Sequence, residues 1–312
     1  MLENKKLEGR KNIMQERDMT QEEAEIFGFY LFLNDDLRRC GDILYWYRSG
    51  ESVEKIFLND QIQLRLTHVD CFDDKLEGRA AEIYYDIAME ELLQEKAIGK
   101  ELFDRFSQVV AEETELFISG EENGIRIVSM KKYDAYIVCF SEVENDPYMF
   151  DRYGKYCFTL SKSMLVHELR ERFADRIRCV DLRILYGRQA VEYLKKEIME
   201  KVRDEFLLQN AEMLLRDQLH ELLYAAKRPR YALENEVRLV IFVPKDYPCD
   251  GGGIKKEEVN KNGITKKYLY LTLGKNVFYD VSPSPENTVE DTNRVFSVLD
   301  QRGYSYLLPD EE

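Results

Sequence analysis

Histidine is scarce: the 312-residue chain has three, at 68, 167 and 220. That is too few for a histidine-rich metal site, and the absence of an HExxH spacing removes the zinc-protease arrangement. The six cysteines, Cys40, Cys71, Cys139, Cys157, Cys179 and Cys249, never stand in a CxxC or CxxxxC spacing. Neither a zinc site nor a disulfide framework is signalled, and they read as buried free thiols. Long apolar runs are missing too, with nothing near the ~18 residues of a membrane span, and MLENKKLEGRKNIMQERDM at the N-terminus lacks a signal peptide's apolar centre. These absences predict a cytoplasmic protein with no membrane partner. Positive charge is the minority sign: 45 basic against 60 acidic side chains leave a net charge of −15. Only Lys227, Arg228 and Arg230 cluster, with a looser set at Lys5, Lys6, Arg10 and Lys11. Charge therefore does not favour nucleic acid, because neutralised phosphates need local Lys or Arg.

What is present describes a globular protein. Hydrophobic residues make up 44% and charged residues 34% of the chain, enough apolar content for a substantial core. Residues 1–18 are polar and aperiodic and read as a mobile tail. The rest, 19–312, reads as a single α+β domain with a mixed or antiparallel sheet core and a long helical insertion at about 187–228. A capping box at Thr20 and Glu23 opens a helix toward Leu37. ILYWYRS reads as a strand with Leu44, Trp46 and Arg48 on one face and Tyr45 and Tyr47 on the other. Helices are predicted over 79–97 and 100–113, and strands in QIQLRLT, IRIVSM, DAYIVCFSE, YCFTLS and RCVDLRILY. A helix is expected at about 163–174, and VENDPYMFDRYGKY reads as a loop.

Residues 188–226 contain neither Gly nor Pro and carry an apolar stripe through Leu194, Ile198, Val202 and Leu215, so one long helix or a helical hairpin is expected. ENEVRLVIF, KKYLYLTL and NVFYDVS then alternate as strands. Gly251, Gly252 and Gly253 fall in the polar connection between the first two; with no GK[ST] after them they form a loop, not a phosphate cradle. A helix near 288–301 and a final strand, YSYLL, close the chain. Strands and helices without strict alternation give the α+β class.

Two constellations carry possible chemistry. Asp70, Asp73, Asp74 and Glu77 lie within eight residues and could hold a hard cation, although a short acidic loop or a helix cap accounts for them equally. Glu234, Glu236 and Arg238 fall on one face of a strand start, opposite Val237, Leu239 and Ile241. Carboxylates so placed, some 6–7 Å apart, are of the type that manages cationic glycosyl transition states. The alternative is a solvated strand end with a cross-strand Glu–Arg pair.

Read in order, LYWYRS (44–49), CFDDKLEG (71–78), CFSE with YMFDRYG (139–154), KRPRY with ENEVRL (227–239) and LGKNVFYDVSPSPEN (273–287) resemble the bacterial family known as domain of unknown function 2971. That family shows a Tyr-x-Tyr-Arg-Ser start, an Asn-Asp-Pro-Phe-Glu loop, a Cys-x-Ser-Glu strand before Met-Trp and a late Glu-x-Glu-x-Arg strand. This chain departs from it: Asp73 to Glu77 read DDKLE, Phe150 stands where Trp is usual, and a His-Lys-Gly stretch is shortened to Gly154-Lys155. The same segments resemble, in order, the Arg-Ser-Glu class of ADP-ribosyltransferases, which pass ADP-ribose from NAD to an acceptor. That resemblance implies NAD as substrate, with Arg48 on its phosphate and Ser141 bracing the site beside the nicotinamide ribose. It gives Glu236 the ribose hydroxyl and developing cation, and Glu234 the acceptor nucleophile. Tyr45, Tyr47, Tyr148 and Tyr153 offer stacking surfaces. Roles in bacterial defence, against phage or within a toxin–antitoxin pair, fit the resemblance. The other expectations are an interaction or sensor module that offers its long helical region to a protein partner or antitoxin, and a metal-dependent hydrolase or nuclease using Asp73, Asp74, Glu77 and Glu142.

Overall fold

The computed structural model describes residues 18–19, 41–72, 80–109, 117–121, 124–128, 133–173, 177–209, 211–248, 250–261 and 263–309. The polar tail up to residue 17, the helix expected from Thr20, and Asp73, Asp74 and Glu77 lie outside the described residues. In chain order the first elements are β1 (Asp18–Met19), β2 (Ile43–Arg48), α1 (Gly50–Ile56), β3 (Phe57–Leu58), β4 (Gln61–His68), α2 (Ala80–Gln94) and α3 (Lys100–Phe106). There follow β5 (Phe117–Glu121), β6 (Gly124–Val128), β7 (Tyr133–Ser141), α4 (Pro147–Tyr153), β8 (Tyr156–Ser161), α5 (Lys162–Phe173), β9 (Arg178–Arg183) and β10 (Leu185–Tyr186). The helical segment is α6 (Arg188–Arg203), α7 (Glu205–Gln209) and α8 (Ala211–Ala225). The chain closes with β11 (Ala226–Lys227), β12 (Glu236–Pro244), β13 (Asp250–Gly251), β14 (Ile254–Lys261), β15 (Ile264–Gly274), β16 (Phe278–Pro283) and α9 (Val289–Gln301).

An antiparallel sheet of eleven strands organises the molecule, so the α+β class holds. β7 is its centre, paired along its whole length with β12, from Glu236↔Ser141 to Pro244↔Tyr133, and β9 lies on β12's other edge. β1, β6 and β5 form a separate three-stranded sheet. Strand alternation sends β7 and β12 into two cores. Val138, Phe140, Val237, Leu239 and Ile241 join Trp46, Phe158 and side chains of α1, α5 and α9 on one face. Ile137, Val240 and Phe242 join α2, α6 and α8 on the other. Covered on both faces, β12 is buried from Glu236 to Val243, and each such apolar side chain contributes about 1.5–3 kcal/mol of transfer energy before entropy is counted.

The helical stripe over 188–226 is broken rather than continuous. Asp204 interrupts it by capping α7, accepting from Leu207 N through its side chain at 2.9 Å. β10 and β11, at the two ends of this helical excursion, pair parallel through Leu185↔Ala226 and Tyr186↔Lys227. The excursion thus closes on Lys227. Gly187, at φ 51°, turns the chain into α6 where a Cβ would meet Pro229 at 2.4 Å.

Three expectations need correction. The loop after β7 contains α4, started by Asp146, whose carboxylate accepts from Tyr148 N at 2.8 Å, with Pro147 in the first turn. The polar connection after the glycine triplet is strand β14, entered through Gly252 and Gly253 at positive φ. YSYLL is a 3-10 turn, not a strand: Tyr304 is buried and donates to Gln61 O at 2.5 Å, while Ser305–Leu307 turns back. No helix among the described residues is long and apolar enough to cross a membrane.

Candidate active site

A split in the sheet creates the cleft. β2 and β4 both pair with the same edge of β7, β2 at Tyr45↔Ser141 and β4 at Thr67↔Ile137 and His68↔Tyr136. Between Ile137 and Ser141 that edge has no strand partner among the described residues. The cavity there is lined by the consecutive residues 45–48 of β2 and 137–140 of β7. A strand seen face-on shows only alternate side chains; both parities line a wall only where the strand is met along its edge. The cleft encloses a volume of about 220 Å³ and is open to solvent at its mouth. Its enclosed part falls below the roughly 300–1,000 Å³ of a drug-sized pocket, so it admits one end of a larger ligand and leaves the remainder at the rim.

One wall is cationic. Arg48, the last residue of β2, lays its guanidinium 4.0 Å from the centre of the Trp46 ring and donates from Nη1 to Tyr47 O at 3.2 Å. The backbone there is pressed by Gly154, which ends α4 at φ 138°; a Cβ on it would lie 2.2 Å from Arg48 C. Only glycine fits, so the α4 terminus fixes where Arg48 begins its reach. Arg65 of β4 lines the same cleft. Burial lowers the Arg48 pKa to about 9, with nearby Arg65 adding to the effect and Cys139 opposing it. It is a cation at neutral pH.

The other wall holds the carboxylates. Glu234 does not sit in a strand: Pro229–Glu234 is a 3-10 turn, and Asn235 follows in the left-handed region at φ 41°, which Asn tolerates better than most residues. That turn brings both carboxylates to Lys227. Its Nζ lies 2.6 Å from Glu234 Oε2 and 2.6 Å from Glu236 Oε2. Arg238 Nε donates to the other Glu236 oxygen at 2.6 Å and is itself held by Tyr224 O at 3.0 Å. The Tyr153 hydroxyl donates to Glu234 Oε1 at 2.6 Å, and Arg152 Nε stands 3.3 Å from the same oxygen. Both glutamates are almost wholly buried, 2% and 3% exposed. They are therefore not the solvated strand end of the alternative reading, and the arginine partner is on the same strand. Burial works to raise the Glu236 pKa, but Arg238 and Lys227 outweigh it and hold the carboxyl well below the usual range.

The Lys227 backbone is pinned as firmly as its side chain. Its carbonyl accepts from Gly187 N at 3.1 Å and from Tyr84 OH at 3.2 Å. Cys139 lies on the cleft floor across from Arg238 in register. It is exposed to the cleft, contrary to the expectation of buried thiols, which Cys157 alone fulfils among the described cysteines. Surrounding protein raises its pKa, as does the Glu236 carboxylate that its thiol meets.

Arg48, Tyr45, Tyr47, Tyr153, Glu234 and Glu236 thus line one cleft. Tyr47 spends its hydroxyl on the fold, donating to Val143 O at 2.7 Å and accepting from Asp146 N at 3.0 Å. Ser141 does not line the cleft: fully buried, it donates to Glu234 O at 2.9 Å and so braces the turn carrying the carboxylate. Tyr148 also stays outside the lining, packed beside the Tyr47 and Phe150 cluster. Glu142 is engaged elsewhere, accepting from Gly41 N at 3.2 Å and lying 3.3 Å from Arg183 Nε. Sequence reasoning missed Arg65, Cys139 and, above all, Lys227 as members of the site; the KRPRY segment was visible as a basic cluster but not as a partner of Glu234 and Glu236. Comparison with protein-family models, with curated proteins and with solved structures finds no match to this chain.

Proposed function

We propose that the cleft binds NAD and breaks its nicotinamide–ribose bond, passing ADP-ribose to an acceptor as the Arg-Ser-Glu transferases do. The observation supporting this reading is that Arg48 and Glu236, distant in the chain, line one cleft at the split of the sheet. The resemblance to the family of unknown function remains part of the same proposal.

In this reading Arg48, a fork of donors held beside Arg65, takes the diphosphate. The nicotinamide riboside end enters the enclosed volume between Tyr45, Tyr47 and Tyr153, and the adenosine end lies toward the open mouth. When the C–N bond breaks, its electron pair leaves with neutral nicotinamide and positive charge develops on the ribose. Glu236, ionised at neutral pH, faces that charge through the lone pairs its two cations leave free. Glu234 orients the acceptor, whose nucleophile bonds to the ribose carbon as its proton passes to solvent.

The ion pairing of Glu236 and Glu234 favours a second reading. Lys227 and Arg238 neutralise the two carboxylates, so their pull on a developing cation is weaker than that of free carboxylates. A sensor that binds NAD or ADP-ribose without cleaving it uses the same cleft. Calorimetric titration with NAD and with ADP-ribose tests both: saturable binding lost in Arg48→Ala supports the cleft as a nucleotide site, and binding of neither removes both readings.

A further inference from the structure

Beside Glu234, at the rim of the cleft, three arginines and three tyrosines are interleaved. The Tyr231 ring has Arg230 Cζ at 4.6 Å, Arg152 Cζ at 5.5 Å and Arg228 Cζ at 5.8 Å from its centre. Arg152 also lies 5.6 Å from the Tyr153 ring and 5.9 Å from that of Tyr148. Arg230 is exposed, the Arg152 side chain is 44% exposed and Tyr153 39%, while Arg228, Tyr231 and Tyr148 are half-buried, so the group forms a partly exposed rim. It adjoins the cleft directly, because Arg152 and Tyr153 both reach Glu234.

From this juxtaposition we propose that the rim is a binding surface for single-stranded nucleic acid. In the transferase reading, on which this role rests, that strand presents the acceptor to Glu234. The chemistry is that of sequence-tolerant strand binding: guanidinium groups meet phosphates, while the flat rings interleaved with them receive unstacked bases. An acidic peptide would use the charges but not the interleaved flat surfaces. The net charge of −15 opposes long-range attraction but not contact, since screening confines charge effects to about 8 Å at physiological salt. Binding is therefore local to the rim. Sequence alone shows Arg228 and Arg230 as part of a basic cluster with Lys227; α4 adds Arg152, Tyr148 and Tyr153 from about eighty residues away in the chain.

The test is fluorescence anisotropy of a labelled single-stranded oligonucleotide titrated with the full chain, without NAD, over a series of salt concentrations. The expected result is saturable binding with a log–log salt slope of about −2 for three contacts at ~0.7 each. Arg228→Ala with Arg230→Glu weakens it at least about tenfold while circular dichroism is unchanged, and Tyr231→Ala weakens it comparably. No saturable binding, binding undiminished in the arginine variant, or equal competition by a polyglutamate peptide overturns the proposal. Nicotinamide release from NAD, measured separately with and without oligonucleotide, keeps the two readings distinguishable. Release without strand binding sinks the rim proposal alone; strand binding without release upholds the rim and sinks transfer.

Discussion

Lys227 Nζ stands 2.6 Å from Glu236 Oε2, and the same nitrogen lies 2.6 Å from Glu234 Oε2. One ammonium thus holds together two carboxylates that strand geometry would keep apart. It sits in β11, where the helical excursion closes on β10 as a separate two-stranded pair, so the position of the acidic wall depends on how α6 to α8 close.

Lys227→Met should therefore cost more than a surface charge. It fills similar volume but leaves two buried carboxylates short of a counter-charge, and breaking such an arrangement costs about 3–5 kcal/mol. Glu234→Gln in the same background should recover part of the loss. Urea unfolding of the two single variants and the double variant measures this coupling directly; simple additivity would contradict the bridging role.

The pH dependence follows from the sign of the Glu236 shift. Its folded pKa is depressed below the ordinary 4.5 by Arg238 and Lys227, which overcome burial. Stability from this group is complete above that ordinary value and is lost as pH falls below it toward the folded one. Glu236→Gln strands Lys227 and Arg238 and should be markedly less stable than the parent chain at pH 7. The gap should narrow as pH falls through about 4.5. Urea midpoints taken stepwise from neutral to acid pH check it; a pH-independent gap would show that Glu236 is not held ionised by its neighbours.

Gly154→Ala should displace Arg48. An added Cβ meets Arg48 C and Ser49 N at 2.2 Å on backbone already at φ 138°, a region that costs a non-glycine residue about 1–3 kcal/mol before the clash is counted. Loss of at least that much stability, with weakened NAD binding in the surviving folded fraction, is the expected outcome by denaturation and calorimetry.

The parity of β2, β7 and β12 was legible in the letters, because aromatic and β-branched alternation reports which face is buried. Trp46 and Arg48 share a face, and Glu236 and Arg238 stand opposite Val237 and Leu239. Glu234 was misplaced because Asn235 adopts a left-handed conformation that breaks the two-residue period, and an Asn in a polar run carries no mark of it. β14 was hidden because its mostly exposed, charged residues show no apolar alternation. Ser141 sits on the expected strand, yet its hydroxyl turns to the Glu234 carbonyl, a contact between distant segments that the strand pattern does not encode. The partnership of Lys227 with both glutamates arises from the β10–β11 closure, a long-range event with no local signature.

The most direct measurement is release of nicotinamide from NAD by the purified chain, compared with Glu236→Gln and Arg48→Lys under conditions where all three are folded. The account predicts release by the parent chain, loss of about two orders of magnitude in the Glu236 variant and a weaker apparent affinity in the Arg48 variant. Release at equal rates from the parent chain and Glu236→Gln would contradict it.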